Sequence, residues 1–185
     1  MKHPVLTAMS LVAVLALTGC ESSGSLTGQK GVAVDAAGAT SAASAAAKPA
    51  ASDAAVGQAV AITGREGLAA TVTVVTLTTF KAGPGAIAQP PKNGSFAVAY
   101  VLISATGGTY NFNPLYIKYQ AEDGTTYGAL DGNSAMAGFE PGLSAGTLTA
   151  GQKTRGKVAF DVPAGGHGLI QMTDPLGGVV AQWKF

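Results

Sequence analysis

The second half of the chain is a series of short runs in which apolar and polar residues alternate, a pattern that predicts β-strands. Beta-branched residues are frequent in these runs, and glycine or proline separates them. No stretch of helical periodicity longer than about 10 residues follows Val56. Short strands without intervening helices predict an all-β sandwich or barrel. The predicted strands are residues 58–63, 68–80, 95–105, 115–120, 125–129, 157–162, 169–173 and 179–185.

Three of these strands carry finer predictions. Residues 95–105 are apolar on both faces, which predicts a central strand covered on both sides and favours a sandwich over a barrel. In residues 68–80 the apolar face changes after Val74, which predicts a bulge at that point. Near the end of the chain, strand alternation predicts that Phe160 points inward and Asp161 outward.

The N-terminal segment has the parts of a secretory signal, namely Lys2, an apolar run at 5–17 and small residues after it. The run is shorter than the roughly 20 apolar residues that span a bilayer. Residues 17–20 (LTGC) resemble the lipobox of bacterial lipoproteins, in which the cysteine takes a diacylglyceryl group. Cys20 is also the only cysteine, and a generic signal would leave it as a free thiol in an oxidising compartment. We therefore predict a signal peptide at 1–19, lipidation at Cys20 and an extracytoplasmic, membrane-anchored protein, periplasmic or at the cell surface.

Composition divides the remaining chain into a tether and one domain. Residues 20–55 consist mainly of Ala, Ser, Gly and Thr, which cannot bury enough apolar surface to offset the entropy of ordering. Residues 56–185 have the length of one ordinary domain, without a cysteine that could form a disulfide. With a net charge of +1 and 11% charged residues, the chain has no basic footprint for nucleic acid.

Several segments of this domain together resemble the DUF4352 family. They are residues 57–75, 96–127 and 148–163, and the resemblance extends over essentially all of 56–185. It implies an immunoglobulin-like β-sandwich of a bacterial surface or secreted protein, related to secreted antigens of the MPT63 type, with no catalytic residues to carry over. The matching turn and core residues are Gly124, Gly151, Gly156, Phe160 and Pro163. Residues 105–108 depart from the Asn-rich segment that is common in the family.

The predicted domain offers little chemistry. His167 is its only histidine and lies in a glycine-rich turn, without an identified nucleophile or orienting acid for a triad. A copper or zinc site needs several His or Cys ligands, so we expect no metal, no cofactor and no enzymatic activity. The carboxylates at 122–123 and at Asp131 are typical of turns. A calcium site remains an alternative there, although the spacing of a calcium loop is absent.

Two segments are candidate partner-binding surfaces. The first holds Tyr110 and Phe112, each followed by an asparagine, a composition found at contact surfaces. Its alternative is an aromatic pair that caps the end of the sandwich. The second is residues 135–148, a predicted long loop with Met136, Phe139 and Leu143, which together would form a partner site if exposed. If these side chains fold back, they close the open end of the core.

These expectations favour a non-enzymatic, lipid-anchored module that binds an envelope protein, a cell-wall component or a host protein. The alternative is a protease-inhibitor-like protein or a carrier of a small ligand. An exposed rigid loop at 138–146 would favour inhibition, whereas a closed apolar pocket between the sheets would favour a carrier.

Overall fold

The computed structural model describes residues 51–64 and 66–185, which form an all-β fold with two short 3₁₀ turns. The predicted signal peptide, Cys20 and the predicted tether up to residue 50 lie outside the described residues. Within the described part of the chain, no helix is long and apolar enough to cross a membrane. The strands are β1 Ser52–Ala55, β2 Ala59–Thr63, β3 Ala69–Phe80, β4 Gly94–Gly107, β5 Thr109–Phe112, β6 Ile117–Ala121, β7 Thr126–Gly128, β8 Gly146–Thr149, β9 Lys153–Pro163, β10 Gly168–Thr173 and β11 Val179–Lys184. The 3₁₀ turns are Pro114–Tyr116 and Ser134–Met136.

The strands form two principal sheets and one ribbon. The first sheet has the order β1-β11-β10-β6-β7, the second has the order β2-β3-β4-β9, and β5 pairs with β8 in the ribbon. Fully buried side chains from both principal sheets make up one core, which confirms the predicted immunoglobulin-like β-sandwich. The largest of them are Ile103 and Phe160 from the second sheet and Tyr119, Ile170 and Trp183 from the first.

Strand β4 is the centre of the second sheet, as its two apolar faces predict. It pairs with β3 on one side and with β9 on the other along most of its length. One face, which includes Val101 and Ile103, packs into the main core. On the other face, Phe96 and Val98 form a second buried cluster with Ala137, so the outer side of this sheet is covered by loops.

The predicted bulge in β3 is confirmed. The pairing of β3 with β4 shifts register between Val74 and Thr76. After the shift Leu77 packs against the main core, whereas Val75 is 37% exposed. A doublet of valines at 74 and 75 therefore marks the point where one extra residue turns the strand over.

The described residues contain three strands beyond the eight predicted, namely β1, β5 and β8, and one predicted strand begins too early. The predicted tether extends to Ala55, but its last four residues form β1, which pairs in parallel with β11 and places Ala54 against the core. The sequence SDAA has no β-branched or aromatic residue, so the neighbouring strand rather than local propensity specifies this element. Leu115, predicted to begin a strand, is 44% exposed in the first 3₁₀ turn, because the Asn113 side chain accepts a hydrogen bond from its amide.

Candidate functional site

The ribbon of β5 and β8 buries two of the five predicted partner-binding residues. Tyr110 lies opposite Leu148, Phe112 lies opposite Gly146, and both aromatic side chains belong to the main core. A Cβ at Gly146 would lie 3.0 Å from the Phe112 ring, so glycine allows the close approach of the two strands. The alternative of an aromatic pair that caps the sandwich therefore applies to Tyr110 and Phe112, and neither is available as an exposed contact.

The other three predicted residues lie on the segment between β7 and β8 and differ in their exposure to solvent. Leu143 is 7% exposed and packs in the main core, so it too is unavailable as an exposed contact. Phe139 is half-buried against the second cluster, with its ring centroid 4.8 Å from that of Phe80 and 5.9 Å from that of Phe96. Met136 is 56% exposed. Partner binding remains a prediction for Met136 and Phe139.

Further exposed apolar residues lie close to Phe139, and Ala135, the chain neighbour of Met136, lines a groove with Phe139. Leu115 and Leu130 line this groove of about 250 Å³ together with Phe139. Leu115, Leu130 and Phe80 are 44%, 64% and 39% exposed. We call the set Phe80, Leu115, Leu130, Met136 and Phe139 the outer apolar surface. Leu115 and Leu130 were not among the predicted site residues, because neither lies in a segment whose composition alone indicates a contact surface.

The buried carboxylate of Asp161 holds the loops beneath this surface. Its Oδ2 accepts hydrogen bonds from the backbone amides of Lys92 and Asn133, at 2.7 and 2.8 Å, and its Oδ1 accepts one from the amide of Asn93, at 2.8 Å. The Asn93 side chain also donates to the Asp161 backbone carbonyl. Three amide donors stabilise a charge that would otherwise be costly to bury.

Asp161 lies on the outer face of β9, as predicted, yet its side chain is completely buried. Strand alternation assigns the face correctly, since Asp161 lies opposite to the face that carries Phe160. However, alternation cannot show that loops from 92–93 and 132–133 cover that face. Gly132 has a φ of +59°, and an added Cβ there would overlap the Asp161 carboxylate, so this turn requires glycine.

A second apolar feature is a cavity of about 660 Å³ at one end of the sandwich, between the two principal sheets. We call it the end cavity. Its lining is mainly apolar and comes from β2, the β2–β3 turn, β5, β10 and β11. From the sequence, a pocket between the sheets was only a possible feature of a carrier, without assigned residues, and Tyr110 was predicted as a surface contact. The principal lining residues are Ile62, Leu68, Tyr110, Met172, Val179 and Val180.

Most of the polar candidates serve local turns. Asp123 Oδ1 accepts a hydrogen bond from the Thr125 amide, and the hydrogen bonds from Thr125 lower the pKa of the Asp123 carboxyl. Asp131 Oδ2 accepts one from the Gly128 amide at 2.6 Å. His167 is exposed in the turn between β9 and β10. Across residues 51–64 and 66–185, no group of three or more His, Cys, Asp or Glu side chains could hold a metal ion.

Comparison with known proteins gives a family and a fold. The profile of DUF4352, a domain of unknown function, matches residues 55–178. Among solved structures, the secreted protein MPT63 from Mycobacterium tuberculosis is similar with a TM-score of 0.60 and 19% identity, over 75% of this chain and 100% of that one. The low identity supports a shared fold alone. No curated protein sequence matches the chain significantly.

Two proteins from Bacillus subtilis are more distantly similar. A candidate lipoprotein, ycdA, has a TM-score of 0.47 and 16% identity, over 63% of this chain and 36% of that one. The yjhA protein has a TM-score of 0.48 and 14% identity, over 68% of this chain and 85% of that one.

Proposed function

We propose a non-enzymatic role for this protein, as a lipid-anchored protein of the cell envelope. The chain belongs to the DUF4352 family of domains of unknown function. Its sandwich binds a protein partner or a cell-wall component through the outer apolar surface. The lipobox-like residues 17–20 support the anchor and the extracytoplasmic location. Two acyl chains on Cys20 would be enough for stable attachment, since one chain alone binds a membrane only marginally.

The exposed side chains of the outer apolar surface are the observation that carries this proposal. They come from separate parts of the chain, namely the end of β3, the first 3₁₀ turn and the segment between β7 and β8. Leu115, Leu130 and Phe139 meet at one groove rather than being scattered singly. Exposed apolar residues that gather in this way mark interaction sites in soluble domains.

Hydrogen bonds within the domain also fix the loops that carry the outer apolar surface. Asp161 fixes the loops at 92–93 and 133 through its three accepted hydrogen bonds. The Met136 carbonyl accepts a hydrogen bond from the Gln89 amide at 3.1 Å, which ties the two covering loops together. A surface that is already ordered loses less conformational entropy on binding, and this favours recognition.

The geometry does not favour a protease inhibitor that inserts a loop into a cleft. The segment at 138–146 lies along the edge of β9 instead of projecting from the domain. The Leu143 amide donates to the Lys157 carbonyl at 2.9 Å, and the Lys157 amide donates to the Pro141 carbonyl at 2.8 Å. With Leu143 buried, this segment is attached to β9 and does not form a protruding loop.

Paired charge substitutions on the surface test the proposal. We expect Leu130→Lys with Met136→Lys to reduce partner recovery from intact envelopes by roughly tenfold or more, since central apolar contacts contribute most binding energy. Leu176→Lys is the matched control, because Leu176 is 96% exposed in the β10–β11 turn and lies outside the surface. Equal recovery by both variants, with unchanged thermal unfolding, would contradict the assignment of the binding site.

A further inference from the structure

A bulge shapes the wall of the end cavity. Consecutive residues of a regular strand point to opposite faces, yet Val179 and Val180 both line this cavity. The reason is a register shift between β10 and β11, in which Met172 pairs with Ala181 and Thr173 pairs with Val179. Val180 is therefore the extra residue of the bulge. Bulges of this kind redirect side chains next to binding sites.

The cavity contains one buried polar group without a strong partner. Tyr110 is 5% exposed, and its hydroxyl lies 4.0 Å from the Sδ atom of Met172, which is a weak acceptor. Buried tyrosine hydroxyls usually find a good hydrogen-bond partner. Both residues line the cavity, so a ligand inside it could supply the missing partner.

The described lining residues carry little charge. They include no Lys, Arg or His, and Asp174 is their one carboxylate. Asp174 Oδ1 already accepts hydrogen bonds from the backbone amides of Leu176 and Gly178, at 2.9 and 2.7 Å. An anionic ligand would meet a carboxylate and find no compensating cation among these residues, which makes its burial unfavourable.

We propose that the end cavity is a binding site for an uncharged apolar molecule that carries one hydroxyl or carbonyl group. The apolar body occupies the space between the sheets, and its polar group pairs with the Tyr110 hydroxyl. A volume of about 660 Å³ is within the usual range for small-molecule sites, about 300–1,000 Å³. This site shares no lining residue with the groove of the outer apolar surface, so it adds a second activity to the proposed one.

Fluorescent probe binding tests whether the cavity takes up a ligand. The full chain with Cys20→Ser, prepared without detergent, is titrated with the neutral dye N-phenyl-1-naphthylamine, and 1-dodecanol then competes for the site. We expect saturable binding at one dye per chain. Val180→Phe, which fills the cavity, should weaken binding by roughly tenfold, the effect expected for an occluded apolar site. Val75→Phe is the matched control, because Val75 is exposed on β3 away from the cavity.

Fluorescence of Trp183, the single tryptophan, reports whether each variant is folded. Dye binding that is unchanged in a folded Val180→Phe variant would overturn the site. No saturable dye binding to the parent chain would overturn it as well.

A conservative variant tests the polar contact and the ligand class separately. Tyr110→Phe keeps the ring in the core and removes only the hydroxyl. We expect it to weaken competition by 1-dodecanol by roughly fivefold, the value of one hydrogen bond, while dye affinity stays the same. Equal competition by 1-dodecanol against the two proteins would overturn the role of Tyr110. Tighter binding of dodecanoate than of 1-dodecanol would overturn the uncharged class.

Discussion

A single carboxylate at Asp161 connects three parts of the sequence that alternation alone would leave unrelated. It joins β9 to the loop after β3 and to the turn before the second 3₁₀ helix. The second of these segments carries Met136 and also Ala137, which covers Phe96 and Val98. The shape of the outer apolar surface therefore depends on a residue that takes no direct part in it.

Asp161→Asn tests this role at constant side-chain size. The new amide group cannot accept hydrogen bonds at its nitrogen, so at least one of the backbone amides at 92, 93 and 133 loses its partner. We expect the free energy of unfolding in urea to fall by about 2 kcal/mol. Asp123→Asn is the control, because Asp123 caps an exposed turn, and its stability should change much less. An equal loss in the free energy of unfolding for the two substitutions would contradict this role of Asp161.

The burial of Tyr110 predicts how the free energy of unfolding depends on alkaline pH. Burial raises the pKa of its hydroxyl from 10.0 to about 12. Below pH 10 the hydroxyl is neutral in both states, so its contribution is fully present. As the pH rises from 10 towards 12, the unfolded chain loses the proton first, and the free energy of unfolding decreases. When unfolding by urea is measured at several pH values in this range, the free energy of unfolding of Tyr110→Phe should fall less steeply with pH than that of the parent chain. Parallel slopes would contradict the burial of this hydroxyl.

At the level of elements, the sequence predicts strands well where the pattern is long and two-sided. The length of β4, its covered faces and the bulge in β3 follow from apolar positions alone. The short strands β1 and β8 do not. SDAA has little intrinsic preference for a strand, and GTLT is too short for its alternation to decide, so these strands depend on pairing with β11 and β5, respectively.

In the candidate sites too, the features that depend on local pattern could be predicted from the sequence, whereas those that depend on packing could not. Alternation of Tyr110 and Phe112 with Thr109 and Asn111 is itself a strand signal and could have indicated that the aromatic pair is buried. The valine doublet at 179–180 resembles the one in β3 and could have indicated the bulge at the end cavity. The cavity itself could not be predicted, because it depends on how the two sheets separate at one end.

Strand β11 should be essential for folding. It lies between β1 and β10 in the first sheet and contributes Ala181 and Trp183 to the core. Trp183 also donates a hydrogen bond from its indole nitrogen to the Gln58 carbonyl, which links the strand to the segment before β2. We expect deletion of 179–185 to abolish the cooperative thermal transition, whereas deletion of Phe185 alone should preserve it. A cooperative melt of the longer truncation would show that β11 is peripheral.

In the whole molecule, a lipid on Cys20 would hold the sandwich beside a membrane. Cys20→Ser removes the only thiol that could carry the lipid. We expect this change to move the protein from the membrane fraction to the soluble fraction of broken cells, since the acyl chains provide the attachment. Ser22→Ala, two residues away, should leave fractionation unchanged. Membrane recovery of both variants would contradict lipid anchoring.

Site-specific photocrosslinking in intact cells tests whether the outer apolar surface contacts a partner. A photoreactive residue at Leu130 or Met136 would lie on the outer apolar surface, and one at Leu176 would lie outside it. We expect positions 130 and 136 to crosslink to one and the same envelope component, and position 176 not to crosslink to it. Equal labelling from all three positions, or labelling from position 176 alone, would contradict recognition through the outer apolar surface.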